Sequence, residues 1–363
     1  MGKNKKIFLT VGPSKLFPTV KKHILEALKN NIPSISHRSE KFMSLFEETV
    51  VNLKKLLNIP KEYQIFFLSS ATEAMEKIIE NTIEKNSFHL ISGEFGFRFF
   101  QMAKNLKKNA LAYPIDINKP LNNQKIIIPK SSEIITITQN ETSIGFSFDP
   151  KIIYQIKNLY PKKLIALDIV SSTPYIDLNF DKIDLVFFSV QKGFGLPAGL
   201  GVLIVSPKAF EKALFLNKKN KLYLSYHNFL ELKKYADKSQ TPETPNVLAL
   251  YLLNAITKDF LKIGIEKIRK ETEKKAKMIY NFLEKNKILE PYIKIHSFQS
   301  KTTIVAQTKN GKKNDLILEK LKKQKIYISS GYKDFKDIHL RIANFPFHTF
   351  WEIKQLINCL KVI

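Results

Sequence analysis

Lys192 is the residue whose position first suggests chemistry. It follows the apolar run 185–188 and opens a loop with glycines at positions 193, 195, 199 and 201. A lysine amine at its ordinary pKa is protonated and not nucleophilic, so lysine chemistry needs a site that favours the neutral amine or a Schiff base. Glycines let the backbone approach a ligand closely. A loop lysine that points into water is the alternative, and this stretch alone leaves both readings open.

Asp168 is the second candidate, because it ends the apolar run "LIALD". A carboxylate at the end of a buried strand is costly unless it faces a cation or strong hydrogen-bond donors. It either caps the following turn through backbone amides or pairs with a protonated nitrogen of a ligand.

The stretch "FLSSATEAMEKII" is the third candidate, with an apolar strand, the small residues 69–72 and a helix. Free amides at a helix N-terminus bind phosphate well. Plain N-capping by Ser70 or Thr72 is the alternative. A helix start of this kind, an acid at one strand end and a lysine at another together describe a cradle for pyridoxal phosphate.

The elements that must position these residues alternate along the chain. Short apolar runs at 64–68, 87–91, 133–138, 163–170, 183–190 and 202–206 are separated by segments with helical spacing. This alternation predicts an α/β fold with a mostly parallel sheet covered on both faces. Ligands bind such sheets beyond the carboxyl ends of the strands.

A proline-punctuated turn and a helical pattern that continues toward Leu283 mark a boundary near residue 245. We therefore expect a large domain over 16–245 and a smaller α+β domain over 246–363 that also takes in segment 1–15. In the smaller unit we expect further short elements, among them "IKIHSF" (293–298).

The composition excludes several classes of protein. The formal net charge is +26, but only four of the 59 basic residues are arginine, and the lysines form no stripe, so we expect no nucleic-acid partner. No apolar run approaches the roughly 18 residues of a membrane span. The lone Cys359 fits a reducing cytoplasm. The histidines other than His37 form no metal-ligand spacing; we interpret them as core or surface residues and expect no metal site.

Several motifs together resemble a known family. "SVQKGFGLPAG", "ALDIVSST", "SSATEAME" and "GEFGFRF" resemble the class V aminotransferases, which are fold-type I enzymes dependent on pyridoxal 5′-phosphate (PLP). "TVGPSKLFP", "SHRSEKF", "NETSIG" and "TPETPNVLALYLL" resemble the phosphoserine aminotransferase branch of that class. The similarity runs in the family's motif order from residue 10 to about residue 350. It implies a large PLP-binding domain with a mostly parallel, seven-stranded sheet.

The resemblance also implies roles around the cofactor. Lys192 would bind PLP as a Schiff base and then shuttle a proton, while Asp168 would keep the ring nitrogen protonated. Phe95 would stack on the ring, and Thr142 would hydrogen-bond its phenolic oxygen. The phosphate would be held by the amides of two residues and one side chain of this subunit, and by two residues of the neighbouring subunit: Ala71, Thr72 and Gln191, then Gln240 and Thr241.

The same resemblance implies a homodimer and a substrate. Arg341 would grip the α-carboxylate, and His37 and Arg38 would reach a distal phosphate across the dimer interface. The expected reaction is transamination of 3-phosphohydroxypyruvate by glutamate to phosphoserine, a step of serine biosynthesis.

One stretch departs from the phosphoserine pattern. Where several phosphoserine enzymes carry a His-Arg pair, this chain has Tyr332 and Lys333, which favours a serine– or alanine–glyoxylate (or pyruvate) aminotransferase as the alternative. Lys333 could replace a phosphate contact as a point charge. Arg98 could be either a ligand-binding residue or a structural ion-pair partner.

Overall fold

The computed structural model describes residues 6–121, 124, 126–223, 225–309 and 313–362. The helices are α1 Val20–Lys29, α2 Glu40–Leu57, α3 Ala71–Thr82, α4 Glu94–Asn105, α5 Pro150–Leu159, α6 Pro207–Lys218, α7 Phe229–Ala236, α8 Val247–Ile263, α9 Ile265–Lys285, α10 Asp315–Lys323 and α11 Phe350–Lys361. The strands are β1 Ile7–Leu9, β2 Gln64–Leu68, β3 Asn86–Ile91, β4 Asn109–Pro114, β5 Ile134–Thr138, β6 Asn140–Glu141, β7 Phe146–Ser147, β8 Leu164–Asp168, β9 Leu185–Ser189, β10 Gly201–Val205, β11 Leu289–Pro291, β12 Thr303–Thr308, β13 Ile326–Ser330 and β14 His339–Ala343.

The larger sheet has seven strands in the order β2-β10-β9-β8-β5-β3-β4. β10 runs antiparallel to both of its neighbours, and the other adjacent pairs are parallel. The predicted α/β fold with a mostly parallel, seven-stranded sheet is therefore confirmed.

Side chains of this sheet are buried on both faces, which is why its strands are continuous apolar runs. Phe67 meets Phe46 of α2 on one face, with ring centres 5.2 Å apart. The adjacent Phe66 points to the other face, where its ring centre lies 5.9 Å from that of Phe210 of α6. Burying each of these phenylalanines stabilises the fold by roughly 1.5–3 kcal/mol.

A second sheet of five strands has the order β1-β13-β14-β12-β11. Its first strand comes from the N-terminal segment, because β1 pairs in parallel with β13. Helices α9, α10 and α11 cover this sheet with a separate apolar cluster. Residues 293–298 do not form a strand in it and instead contain the short 3-10 helix His296–Phe298.

Two features of the helices and strands differ from the sequence-based expectation. The helical pattern toward Leu283 is broken at Gly264, whose φ of +88° ends α8 and begins α9. β4 was not among the predicted runs, because its residues are mostly half-buried or exposed at the sheet edge. Within the described ranges, no helix is both long and apolar enough to cross a membrane.

Candidate active site

A cleft of about 300 Å³ lies where the carboxyl ends of the parallel strands meet. The sheet register pairs Thr138, at the end of β5, with Asp168, at the end of β8. It also places Ser189, at the end of β9, opposite Gly201. The predicted site residues that line this cleft are Ala71, Thr72, Phe95, Thr142, Asp168, Gln191 and Lys192.

Lys192 lies in the loop after β9 and is only 7% exposed. Its Nζ donates to Thr142 Oγ1 at 2.7 Å and lies 5.0 Å from the centre of the Phe95 ring. Burial lowers the pKa of Lys192; the carboxylate of Asp168 opposes this, and the guanidinium groups of Arg341 and Arg98 add to it. The surroundings therefore make the neutral, nucleophilic amine more accessible than it is for a lysine in water.

Asp168 faces the same cleft as Lys192 and is 3% exposed. Its Oδ1 accepts a hydrogen bond from the Val170 amide at 2.9 Å, so the capping interaction is present as well. Burial raises the pKa of Asp168, while this hydrogen bond and the charge of Lys192 lower it. An acid and an amine thus share one cavity and influence each other's charge.

The start of α3 borders the cleft, but two of its amides are already bonded. Ser70 is the N-cap, and its Oγ accepts from the Glu73 amide at 3.1 Å. The Ala71 amide donates to Ser189 Oγ at 2.8 Å. Thr72 is the second residue of the helix, so its N–H has no carbonyl within the helix to bond. The positive end of the helix dipole faces the cleft.

The N-terminal segment closes the cleft over Lys192. Gly12 lines it, and the Ser14 amide donates to the carbonyl oxygen of Gln191 at 3.0 Å. A Cβ at Gly12 would lie 3.0 Å from Lys192 Cε, and φ there is +158°, so glycine permits this close approach. In the same wall, Gln191 Oε1 is buried and has no hydrogen-bond partner among the described residues. This oxygen is left for a ligand or a water.

Glu141 is a site residue that the sequence analysis missed. It is fully buried, and its Oε2 accepts from the amides of Phe95 at 3.0 Å and Gly96 at 3.1 Å. Its Oε1 accepts from the amide of Ser143 at 3.1 Å and from its hydroxyl at 2.6 Å. Glu141 therefore fixes the start of α4 and the position of Phe95. Its place beside Thr142 in "NETSIG" was the available signal.

Arg341 lies behind one wall of the cleft. Its Nε donates to the Ser330 carbonyl at 2.8 Å, and its guanidinium carbon lies 5.3 Å from the centre of the Tyr332 ring. Tyr332 itself lines the cleft, whereas Arg341 does not.

Arg98 lines the cleft directly. Its Nη2 donates to the hydroxyl of Tyr332 at 3.2 Å, and its guanidinium carbon lies 5.1 Å from the centre of the Phe95 ring. Lys333, in contrast, does not line the cleft. Its Nζ forms an ion pair with Glu94 at 2.5 Å, and its side chain is 54% exposed.

Four predicted residues form a separate group, which we call the Arg38 cluster: His37, Arg38, Gln240 and Thr241. Arg38 Nη1 donates to Gln240 Oε1 at 2.7 Å and to the Thr241 carbonyl at 2.8 Å. His37 Nδ1 lies 3.4 Å from Thr244 Oγ1. None of the four lines the cleft that holds Lys192. A single chain therefore does not bring the Arg38 cluster and Lys192 together.

His227 connects the two regions, although the sequence analysis assigned it no role. Its Nδ1 bonds to the Glu73 carboxylate of α3, and its Nε2 lies 2.7 Å from Glu243 Oε2, next to the Arg38 cluster. Burial alone would lower the pKa of His227, but the two carboxylates overcome this and raise it to about 9. His227 is therefore charged in the folded protein at neutral pH.

A larger groove of about 620 Å³ lies among α1, α2 and α8 and offers no comparable chemistry. Several of its charged side chains pair with each other, as in His23–Asp259 at 2.9 Å and Lys258–Glu48 at 2.6 Å. In the part of the chain that the structure describes, no group of three His, Cys, Asp or Glu side chains could hold a metal ion.

The fold and this site match a known class of enzymes. Residues 7–343 match the family model described as aminotransferase class-V. The chain belongs to the class V aminotransferases, and it is an enzyme.

Three relatives show how similar this chain is to known proteins. An uncharacterized aminotransferase of Methanocaldococcus jannaschii is 33% identical over 283 residues, which cover 75% of this chain and 70% of the relative. A phosphoserine aminotransferase of Blochmanniella floridana is 28% identical over 371 residues, or 98% and 97% of the two chains. A solved structure of a phosphoserine aminotransferase from Cytophaga hutchinsonii superposes with a TM-score of 0.95 at 40% identity, covering 100% of this chain and 99% of that one.

Proposed function

We propose that this enzyme uses PLP and transfers the amino group of glutamate to 3-phosphohydroxypyruvate, which yields phosphoserine and 2-oxoglutarate. The cofactor assignment rests on one observation: Lys192 and Asp168 line one cleft and follow or end neighbouring strands of the sheet. The phosphorylated substrate is supported by the full-length similarity to the Cytophaga enzyme.

The residues of the cleft fit this cofactor. Lys192 is a buried amine whose pKa is lowered by burial, and Asp168 is a buried acid facing the same space. The start of α3 supplies a dipole suited to a phosphate. Gln191 Oε1 is buried without a hydrogen-bond partner among the described residues, so the Gln191 side chain has hydrogen-bonding capacity left for a ligand.

Each residue would have a distinct task in the reaction. Bound PLP supplies an electron sink for the carbon that loses its proton. Lys192 would hold the aldehyde carbon and, once released, carry that proton. Asp168 would keep the ring nitrogen protonated through its charge, and Phe95 would cover one face of the ring. Arg341 would bind the α-carboxylate through its planar fork.

The cofactor assignment is tested by borohydride reduction of the purified protein followed by peptide mapping. A PLP label on the peptide that contains Lys192 is expected, and a label elsewhere or none would overturn the assignment.

The substrate assignment is tested with an acceptor panel. Protein converted to the amino form with L-glutamate should regain the starting absorption spectrum on addition of phosphohydroxypyruvate, and much less well with glyoxylate or pyruvate. The reverse preference would identify the glyoxylate-type alternative, which the Tyr332–Lys333 pair favours.

We also propose that the enzyme is a homodimer in which the Arg38 cluster completes the cleft of the other subunit. This is supported by the place of the cluster, which lies outside the cleft of its own chain while Arg38 itself is exposed. A Lys192→Ala chain and an Arg38→Ala chain, each of low activity with the phosphorylated acceptor, should restore activity when they are co-expressed. With random pairing about half of the dimers would be mixed, and each mixed dimer would have one site with both Lys192 and Arg38. Up to about a quarter of all sites would then be intact. No recovery in mixed dimers would contradict the shared site.

A further inference from the structure

The side chain of Arg98 is a half-buried cation inside the cleft. It is held from two sides, by its hydrogen bond to the Tyr332 hydroxyl at 3.2 Å and by the Phe95 ring 5.1 Å from its guanidinium carbon. Both contacts orient the planar group and leave most of its N–H donors unused, since a guanidinium has five.

Arg98 forms no ion pair within the described part of the chain. Among the described residues, no carboxylate lies within ion-pair distance of its guanidinium, and the sequence-based alternative of a structural ion pair therefore has no support. Arg269 shows what such a role looks like in this chain: it pairs with Asp177 at 3.0 Å and Glu266 at 2.5 Å. The carboxylate of Asp168 acts on Arg98 electrostatically within the same cleft but forms no ion pair with it. A cation that is partly removed from water without a direct ion pair is stabilised when an anion binds to it.

The neighbouring lysine is not free to bind that anion. Lys333 Nζ is 2.5 Å from Glu94 Oε2, and its side chain is mostly exposed. The hydrogen bond to Glu94 raises the pKa of Lys333. Besides Lys192, Arg98 is the basic residue that both lines the cleft with Tyr332 and forms no ion pair within the described part of the chain.

Arg98 and Arg341 approach the same tyrosine from different directions. Arg341 lies against the face of the Tyr332 ring at 5.3 Å, and Arg98 contacts its hydroxyl. Both guanidinium groups lower the pKa of Lys192, so both act electrostatically on the reacting amine. Two cations flanking one ring suit a short substrate with an anionic group at each end.

We propose that Arg98 binds the distal phosphate of the substrate while Arg341 binds its α-carboxylate. This inference rests on the proposed function, because it deepens the substrate assignment of the same site. It makes Arg98 a determinant of specificity for a phosphorylated acceptor, supplied from α4 by the chain that also supplies Lys192. A guanidinium can meet two phosphate oxygens at once, which a lysine cannot do.

The test uses two unreactive ligands that differ only in the phosphate, 3-phosphoglycerate and glycerate. Isothermal titration of the PLP-loaded enzyme gives the ratio of their dissociation constants for each variant. Arg98→Gln should reduce the preference for 3-phosphoglycerate about 10- to 100-fold, the range for losing hydrogen bonds to a charged group. Arg98→Lys should fall between Arg98→Gln and the wild type. The control Lys333→Gln should stay within about threefold of the wild type, because that lysine is exposed and already paired.

Kinetics separate binding from a general structural defect. Arg98→Gln should raise the KM for phosphohydroxypyruvate more than it lowers kcat, and its cofactor content per chain should match that of the wild type. If Arg98→Gln does not fold, Arg98→Lys decides through the same ratio.

The outcomes distinguish this inference from the proposed function. A wild type that prefers 3-phosphoglycerate, together with an Arg98→Gln variant that keeps the preference, would overturn the role of Arg98 alone. A wild type with no preference for the phosphorylated ligand would overturn both. A loss in Lys333→Gln equal to that in Arg98→Gln would assign the effect to the local charge of the loop and would also overturn the role of Arg98.

Discussion

Replacing His227 by glutamine would remove a buried charge that joins α3 to the segment carrying the Arg38 cluster. His227 is 3% exposed, and its pKa is raised to about 9 by Glu243 and Glu73 against the effect of burial. Relative to the ordinary value of 6.5, this change corresponds to roughly 3 kcal/mol at about 1.4 kcal/mol per pKa unit. Glu243 is 33% exposed, so water screens part of the interaction. We therefore expect His227→Gln to lower the free energy of unfolding by about 2 kcal/mol near pH 6.

The effect of this substitution should depend on pH in a defined direction. A pKa that is raised on folding stabilises fully below the unfolded value of 6.5, and the stabilisation is lost as pH rises through about 9. Burial would raise the pKa of Glu73, but hydrogen bonds to His227 and Ser69 lower it to about 2, so its contribution is present above 4.5 and is lost as pH falls toward 2. The wild type and His227→Gln should differ most between pH 4.5 and 6.5 and converge above pH 9.

Urea unfolding followed by far-ultraviolet circular dichroism measures this difference at one fixed protein concentration. His296→Gln is the matched control, because His296 is 78% exposed and 3.4 Å from Glu284. An exposed pair of this kind is worth at most about 1 kcal/mol. If His227→Gln loses as much stability above pH 9 as it does between pH 4.5 and 6.5, His227 is not the charged group that this reasoning requires.

Three further predictions concern the cleft itself. Asp168→Asn should keep the shape of the site but remove its charge, so the rate of a single turnover with glutamate should fall by about 100-fold or more in rapid-mixing absorbance measurements. Gly193→Ala should prevent assembly of the loop, because a Cβ there would lie 1.8 Å from the Thr173 carbonyl oxygen, and cofactor content per chain should drop. Glu141→Gln gives the amides of Phe95 and Gly96 a poorer acceptor, so the free energy of unfolding, measured by thermal unfolding, should fall by about 2–3 kcal/mol.

Each of these variants has a control of the same chemical type. Asp149→Asn changes an exposed helix cap and should leave turnover intact. Gly264→Ala meets open space at a φ of +88°, so it should cost only about 1–2 kcal/mol and keep the cofactor. Glu47→Gln lies on an exposed position of α2 and should not alter stability measurably. Cleft variants that behave like these controls would contradict the roles assigned above.

Much of the fold followed from local sequence. The runs before Lys192 and Asp168 are strands β9 and β8, because a sheet covered on both faces demands continuous apolar residues. Ser70 caps α3 because its hydroxyl reaches the Glu73 amide, an interaction confined to one turn. The sequence did not predict the break at Gly264, because the apolar periodicity continues on both sides and a positive φ does not alter it.

What only the tertiary structure decided is which groups face each other and in which charge state. Glu141 bonds to Phe95 across 46 positions of sequence, His227 to Glu73 across 154 and Arg98 to Tyr332 across 234. Spacings of that size carry no periodic signal, because they depend on how whole strands and helices come together. The sequence determined that a lysine and an aspartate stand at strand ends. Burial then decided that the pKa of the amine is lowered, since removing water destabilises the charged form of any group.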